Sequence, residues 1–161
     1  MASSTVLAAY DAVKAISILY DGTAPTVYDL DQIPANADSA RLPARYLLPF
    51  GNFFETGRIA DTVMVTIPGN TVNVQWQIRD LLLVRAIAQG EGLYTIADKL
   101  IAYAGAYVAA IVSRNGIQRK LTTQAYIDNV TCTPGIYEYP EGGGRGYFGV
   151  SCVLTVRELI A

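Results

Sequence analysis

Apolar and polar residues alternate from Tyr126 to Arg157, on both sides of Gly142-Gly143-Gly144. Val130, Cys132, Pro134 and Ile136 run into the glycines; Phe148, Val150, Cys152, Leu154 and Val156 run out. Successive side chains of a strand point to opposite faces, so the pattern predicts an antiparallel hairpin over 126–158 with one buried face. Folding about Gly142 sets Cys132 opposite Cys152, Ile136 opposite Phe148 and Val130 opposite Leu154. The other face carries Thr131, Thr133, Tyr137, Tyr139, Arg145, Tyr147, Ser151, Thr155 and Arg157. That face reads as wet and rich in tyrosine.

Upstream the period changes. Val6, Tyr10, Val13, Ile16 and Tyr20 recur at spacings of three and four, which predicts an N-terminal helix capped by Ser3 or Ser4 and stopped at Asp21-Gly22. From Thr23 to Gly57 the periodicity disappears, and Pro25, Pro34, Pro43 and Pro49 break any helix. This stretch (23–57) is expected to be an extended arm that lies along the domain and reaches neighbouring subunits. A second hairpin is expected over Thr62 to Arg79, turned by Pro68-Gly69, with Val65 opposite Val72 and Val63 opposite Val74. Asp80 to Ala88 extends that strand or begins another. A second helix comes next, with Thr95 and Asp98 as a capping pair, Leu93, Ala97, Leu100, Ala104, Tyr107 and Ile111 as its stripe, and Asn115-Gly116 as its stop. The order helix, arm, hairpin, helix, hairpin predicts an α+β fold: an antiparallel or mixed sheet built from two hairpins, with both helices on one face.

The 161 residues suit one domain, 1–161. Hydrophobic residues make up 52% and charged residues 16%, a balance that favours burial against other subunits. A net charge of −2 without a Lys or Arg run argues against sequence-independent DNA binding. The first five residues carry no positive side chain, and Asp11 and Lys14 interrupt the next apolar stretch, unlike a secretory signal. The protein is therefore expected in a cytosol and off the membrane. In that setting its two cysteines are expected as free thiols, although their register also permits a disulfide. The chain has no histidine, which removes histidine-dependent triads, and with two cysteines it cannot build the usual zinc ligand sets.

Gly144-Arg145-Gly146-Tyr147-Phe148-Gly149 fits G-x-G-x-x-G, but a dinucleotide site needs a helix after the glycines and a strand is expected here. The motif therefore reads as a hairpin turn. Asp29 with Asp31, Asp61 with Asp80, and Glu138 with Glu141 match neither a calcium loop nor a glycosidase dyad. No catalytic, cofactor or metal residue is assigned, and the chain is not expected to be an enzyme. Among eleven tyrosines, Tyr137, Tyr139 and Tyr147 cluster near the hairpin tip, where amphipathic rings suit a subunit interface. Arg145 joins them there. Tyr28, Leu30 and Arg45 are the corresponding candidates on the arm, and Arg79 and Arg157 are candidates for facing a channel.

Val27-Tyr28-Asp29-Leu30-Asp31-Gln32-Ile33-Pro34, followed by Leu42-Pro43-Ala44-Arg45 and Leu48-Pro49, resembles the proline-punctuated arm of tail terminator proteins of long-tailed bacteriophages. The order of elements is similar to that family over most of the chain. The resemblance implies an α+β virion protein of the tail or neck, assembled in the host cytoplasm, without enzymatic activity. Its subunits would form a ring, expected to be a hexamer, on the last ring of the tail tube. That ring ends polymerisation and offers its other face to a head-completion protein; Arg79 and Arg157 are separately the candidates for passing contact with DNA in a channel. A head-closure or tail-tube component is the neighbouring reading, and a small nucleotide-binding enzyme a more distant one.

Overall fold

A computed structural model describes residues 6–36, 40–49, 64–67, 72–113, 125–139 and 144–160. In chain order the elements are helix α1 (Val6–Lys14), strands β1 (Thr26–Tyr28), β2 (Ala44–Pro49), β3 (Met64–Thr66) and β4 (Val72–Ala86), helix α2 (Ala97–Ser113), and strands β5 (Ala125–Glu138) and β6 (Gly146–Ile160). The fold is α+β, with a mixed sheet and, among the described residues, two α-helices. The sheet runs β1-β2-β4-β6-β5, and β3 shares with β2 the edge of β4 that faces away from β6. Among the described residues, only β1 and β2 pair in parallel and every other pair is antiparallel.

The long strands β4 and β6 form the centre, and their even-numbered side chains point to one face. Trp76, Ile78, Leu82, Phe148, Val150 and Leu154 are all buried there, against Ala9 and Val13 of α1 and Leu100, Tyr103, Tyr107 and Ile111 of α2. Fully burying such a side chain is worth about 1.5–3 kcal/mol, which makes this face the main source of stability. Strand β5 pairs with β6 in the register implied by the alternation: Val130 opposite Leu154, Cys132 opposite Cys152, Ile136 opposite Phe148. Ile136 departs from the expected burial and is 52% exposed; among the described residues β5 is the last strand of the sheet. That edge is interrupted by a bulge between Ile127 and Asn129 and by Pro134, two features that discourage another strand from pairing there.

Three expectations change. α1 ends at Lys14, and Ile16, Ile18 and Tyr20 are buried alternately with exposed Ser17 and Leu19, the period of an extended chain. Asp21 and Gly22 both have positive φ and turn Tyr20 back on Thr23 through two backbone hydrogen bonds of 2.8 Å. Asp-Gly thus forms a tight hairpin turn instead of a helix stop. Second, Val65 lies opposite Val74, not Val72, so the β3–β4 register is displaced by two residues and the faces are preserved. Third, the arm is part of the sheet. Its segments 26–28 and 44–49 supply β1 and β2, and Ile33, Ala40 and Leu42 cover the face away from the helices. Ser3 and Ser4 as caps, Pro68-Gly69 and Gly142-Gly143 as turns, Asn115-Gly116 as a stop and arm residues 50–57 lie outside the described residues.

The connection from β4 to α2 is held by charge. Arg85 donates to Glu91 through two nitrogens, Nη1 at 2.7 Å, and the Ala88 amide donates to the same carboxylate at 3.1 Å. The Arg85 hydrogen bond, with help from Ala88, lowers the Glu91 pKa to about 2. A depressed carboxylate contributes stability that is present above its unfolded value and lost as pH falls through the folded one. Amide exchange in segment 88–95 should therefore accelerate between the ordinary glutamate range near 4.5 and about 2, beyond its intrinsic pH dependence. Glu91→Gln should abolish that extra step; an unchanged profile would remove the ion pair from the account.

Candidate interaction surface

The face of the sheet away from the helices has two halves. At the β2 end, Tyr28 stacks on Tyr46 with ring centroids 5.5 Å apart, Tyr46 meets Tyr139 edge-on at 5.6 Å, and Tyr139 lies 6.3 Å from Tyr147. Each such pair adds about 0.5–1.5 kcal/mol beyond area burial. The arm closes over them: the Tyr139 hydroxyl donates to the Pro34 carbonyl at 2.6 Å, and the Arg41 amide donates to the Tyr28 hydroxyl at 3.0 Å. Tyr139 and Tyr147 are each 3% exposed, and Ser151 is buried as well. The expected wet tyrosine face is corrected accordingly: here the rings form a second small core with Leu81 and Leu83. Alternation distinguishes two faces of a strand, but it does not say which of them another segment of the same chain will cover.

The other half is open. Thr131, Thr133, Gln77 and Arg157 are exposed there, and Arg79 and Tyr137 are half-buried. Arg79 Nε donates to Ser151 Oγ at 2.9 Å, and its guanidinium lies 5.6 Å from the Tyr137 ring centroid. The Tyr137 hydroxyl donates to the Thr133 carbonyl at 2.5 Å. Arg157 pairs with Asp128 of the bulge at 3.3 Å. The structure thus brings Arg79 and Tyr137 together and leaves Arg157 exposed on the same face, whereas Arg145 is exposed at the hairpin tip. Tyr28 is half-buried in the ring stack, and the side chain of Leu30 lies outside the described residues.

Arg45 does not belong to any surface. It is 1% exposed, on the helix side of β2, and meets Asp80 of β4, also 1% exposed, through Nε at 3.2 Å and Nη2 at 2.5 Å. Its remaining donors reach the carbonyls of Ile16 at 2.6 Å and Val13 at 3.4 Å, just where α1 ends; the Val13 carbonyl also accepts from the Ile16 amide at 3.1 Å. Tyr107 of α2 donates to Asp80 Oδ2 at 2.8 Å. Burial disfavours the Arg45 charge, but the field of Asp80 and their hydrogen bond outweigh it and raise the pKa above the ordinary arginine value. Expected from sequence as an intersubunit contact, Arg45 instead joins β2, β4 and both helices.

A different surface, expected from sequence only as a core helix, emerges on α2. Leu100 to Ile111 contains no charged residue. Leu100, Tyr103, Tyr107 and Ile111 are buried, which leaves Ile101 63% exposed, Val108 38% exposed, and Ala102, Gly105, Ala106 and Ala109 exposed beside them. Beside this face an open cleft of about 470 Å³ is lined by Leu19, Ala102 and Ala106 and crossed by the Lys99–Asp21 ion pair at 2.7 Å. The signal was present in the sequence. Only one stripe of a helix can face a sheet, so a helix apolar all round exposes the remainder unless something else covers it.

The glycine motif has a structural explanation at each position. Gly144 has φ +68°, a conformation that favours glycine, before the strand. A Cβ on Gly146 would lie 3.0 Å from the Ile87 side chain, and one on Gly149 would lie 2.2 Å from the Leu82 carbonyl oxygen. A strand succeeds the motif, so the strand, turn, helix order of a dinucleotide site is not present here. Asp29 is held by Lys14 at 2.5 Å and Asp80 by Arg45, and among the described residues no group of three or more His, Cys, Asp or Glu side chains is placed to hold a metal ion. Also among the described residues, no helix is long and apolar enough to cross a membrane. Compared with protein-family models and with curated proteins, the chain matches none.

Proposed function

We propose that this protein is a structural subunit that assembles into a ring at the end of a bacteriophage tail tube, stopping its growth and presenting a surface to a head-completion protein. The phage context rests on the resemblance of the segment from Val27 to Pro49 to the tail terminator arm. Assembly is supported by one observation above the others: the uncharged, exposed face of α2, with Ile101 and Val108 beside Ala102, Gly105, Ala106 and Ala109. Contiguous apolar surface of this kind marks protein contacts more often than solvent-facing helix. The open half of the sheet, with Arg79 and Arg157, is the surface proposed to face the channel and passing DNA. Asp31, Gln32 and Arg41 of the arm and Arg145 at the hairpin tip are exposed, which supports assigning them to contacts between neighbours in this reading. A closed rotational assembly repeats one such contact around the ring, and six copies is the proposed number.

Mass measurement in solution and negative-stain images should give single rings with an open centre, alone or on tail tubes. Long stacks would identify a tube subunit, and a compact monomer indifferent to tail tubes would overturn the proposal. Ile101→Glu combined with Val108→Glu places charges on an exposed face, so melting should change little. Ring formation should weaken about tenfold or more, since burying an unpaired charge costs well over the 1.4 kcal/mol that a factor of ten represents. Rings forming unimpaired would remove α2 from the contact.

A further inference from the structure

The sheet places its two cysteines in one row. Cys132 of β5 is directly opposite Cys152 of β6, and Cys152 is in turn opposite Asp80 of β4. Both cysteines are free thiols. Directly opposed residues of an antiparallel pair have Cα atoms about 4.5–5.5 Å apart, inside the roughly 4.4–6.8 Å range that a disulfide spans. We propose that Cys132 and Cys152 form a redox-responsive latch, closed to an intrachain disulfide by a small-molecule disulfide oxidant and reopened by a dithiol. This inference is independent of the assembly reading.

The two thiols have different environments, which assigns their roles. Cys132 is half-buried on the edge strand, within reach of an oxidant, whereas Cys152 is fully buried. A hydrogen bond from Cys152 favours the Cys132 thiolate and lowers its pKa. Burial, then the neighbouring Cys132 and the charge of Asp80, raise that of Cys152. Cys132 is therefore the attacking thiol and Cys152 the resolving one.

With oxidised glutathione, Cys132 Sγ attacks one sulfur and forms a mixed disulfide, releasing one glutathione. Cys152 Sγ then attacks the Cys132 sulfur and releases the second. The chain loses two electrons and two protons, and the two glutathione molecules gain them. The bond ties edge strand β5 to central strand β6 at a point between the bulge at Asp128 and Pro134, where β5 has a single strand neighbour among the described residues.

The test equilibrates the full chain with excess oxidised glutathione and counts thiols after denaturation. The expected product is a chain not cross-linked to another, with no free thiol and about 2 Da lighter, whose melting midpoint rises by about 6–12 °C, the gain expected from closing a loop of this size. Dithiothreitol should reverse both changes, and Cys132→Ser and Cys152→Ser should show neither. If Cys152→Ser fails to fold, Cys132→Ser on the half-buried edge supplies the control. Two persistent thiols, a stable glutathione adduct, a dimer linked through Cys132, or a closed bond without a rise in melting midpoint would each overturn the latch.

Discussion

Arg45→Met should destabilise the protein by about 3–5 kcal/mol, the loss that results when one partner is removed from a buried ion pair. The magnitude reflects the groups left behind. Asp80, 1% exposed, would keep the Tyr107 hydroxyl but lose both guanidinium contacts. The Ile16 carbonyl would lose the Arg45 donor and the Val13 carbonyl would keep only the Ile16 amide, at the end of α1 where the helix dipole also favours a cation. The check is urea unfolding of the variant beside Asp80→Leu and the double variant. Coupling should appear as a double-variant loss well below the sum of the single losses, because no unpaired charge is left in it. Strict additivity, or a loss below about 1 kcal/mol for Arg45→Met, would show that the pair is not the junction described.

Gly149→Ala should cost about 3 kcal/mol, at or above the upper end of ordinary overpacking. Its Cβ would sit 2.2 Å from the Leu82 carbonyl oxygen, a backbone atom that cannot turn aside as a side chain does. This is also where the β4–β6 register shifts, between Leu83 opposite Gly149 and Arg85 opposite Phe148, so the bulge and the glycine occur together. Gly144→Ala, at a positive φ with open space around it, should cost less, because only backbone strain opposes it. Denaturant midpoints of the two variants decide the point. Equal losses would mean that the motif acts through its turn alone.

These two sites show where sequence reasoning reaches and where it stops. The strand expected after the G-x-G-x-x-G pattern is enough to separate it from a dinucleotide loop. Its reason at Gly149, a close approach to a strand more than sixty positions earlier, involves no local signal. The Arg45–Asp80 pair joins residues 35 positions apart, which read separately from sequence as an arm contact and a solvated carboxylate. Ile16, Ile18 and Tyr20 carry a legible alternation that the helical spacing of Val13, Ile16 and Tyr20 conceals. The candidate contacts divide similarly. Arg79, Arg157 and Arg145 are at least partly accessible, whereas Tyr139, Tyr147 and Arg45 are enclosed by their own chain.

Local periodicity was enough to determine the α+β class and the face that Cys132 and Cys152 share, because a strand's period of two fixes which side chains point together; centring the turn on Gly142 then selected their register among those two residues apart. Composition determined that histidine chemistry and the usual zinc sites have no place here. Tertiary structure alone decided what covers each face. Ile33, Ala40 and Leu42 of the arm pack over the tyrosines of β5 and β6, α2 buries one stripe of a helix apolar all round, and Arg45 meets carbonyls where α1 ends. Covering a face joins residues distant in sequence, and its free energy comes from area and charge that local spacing does not encode.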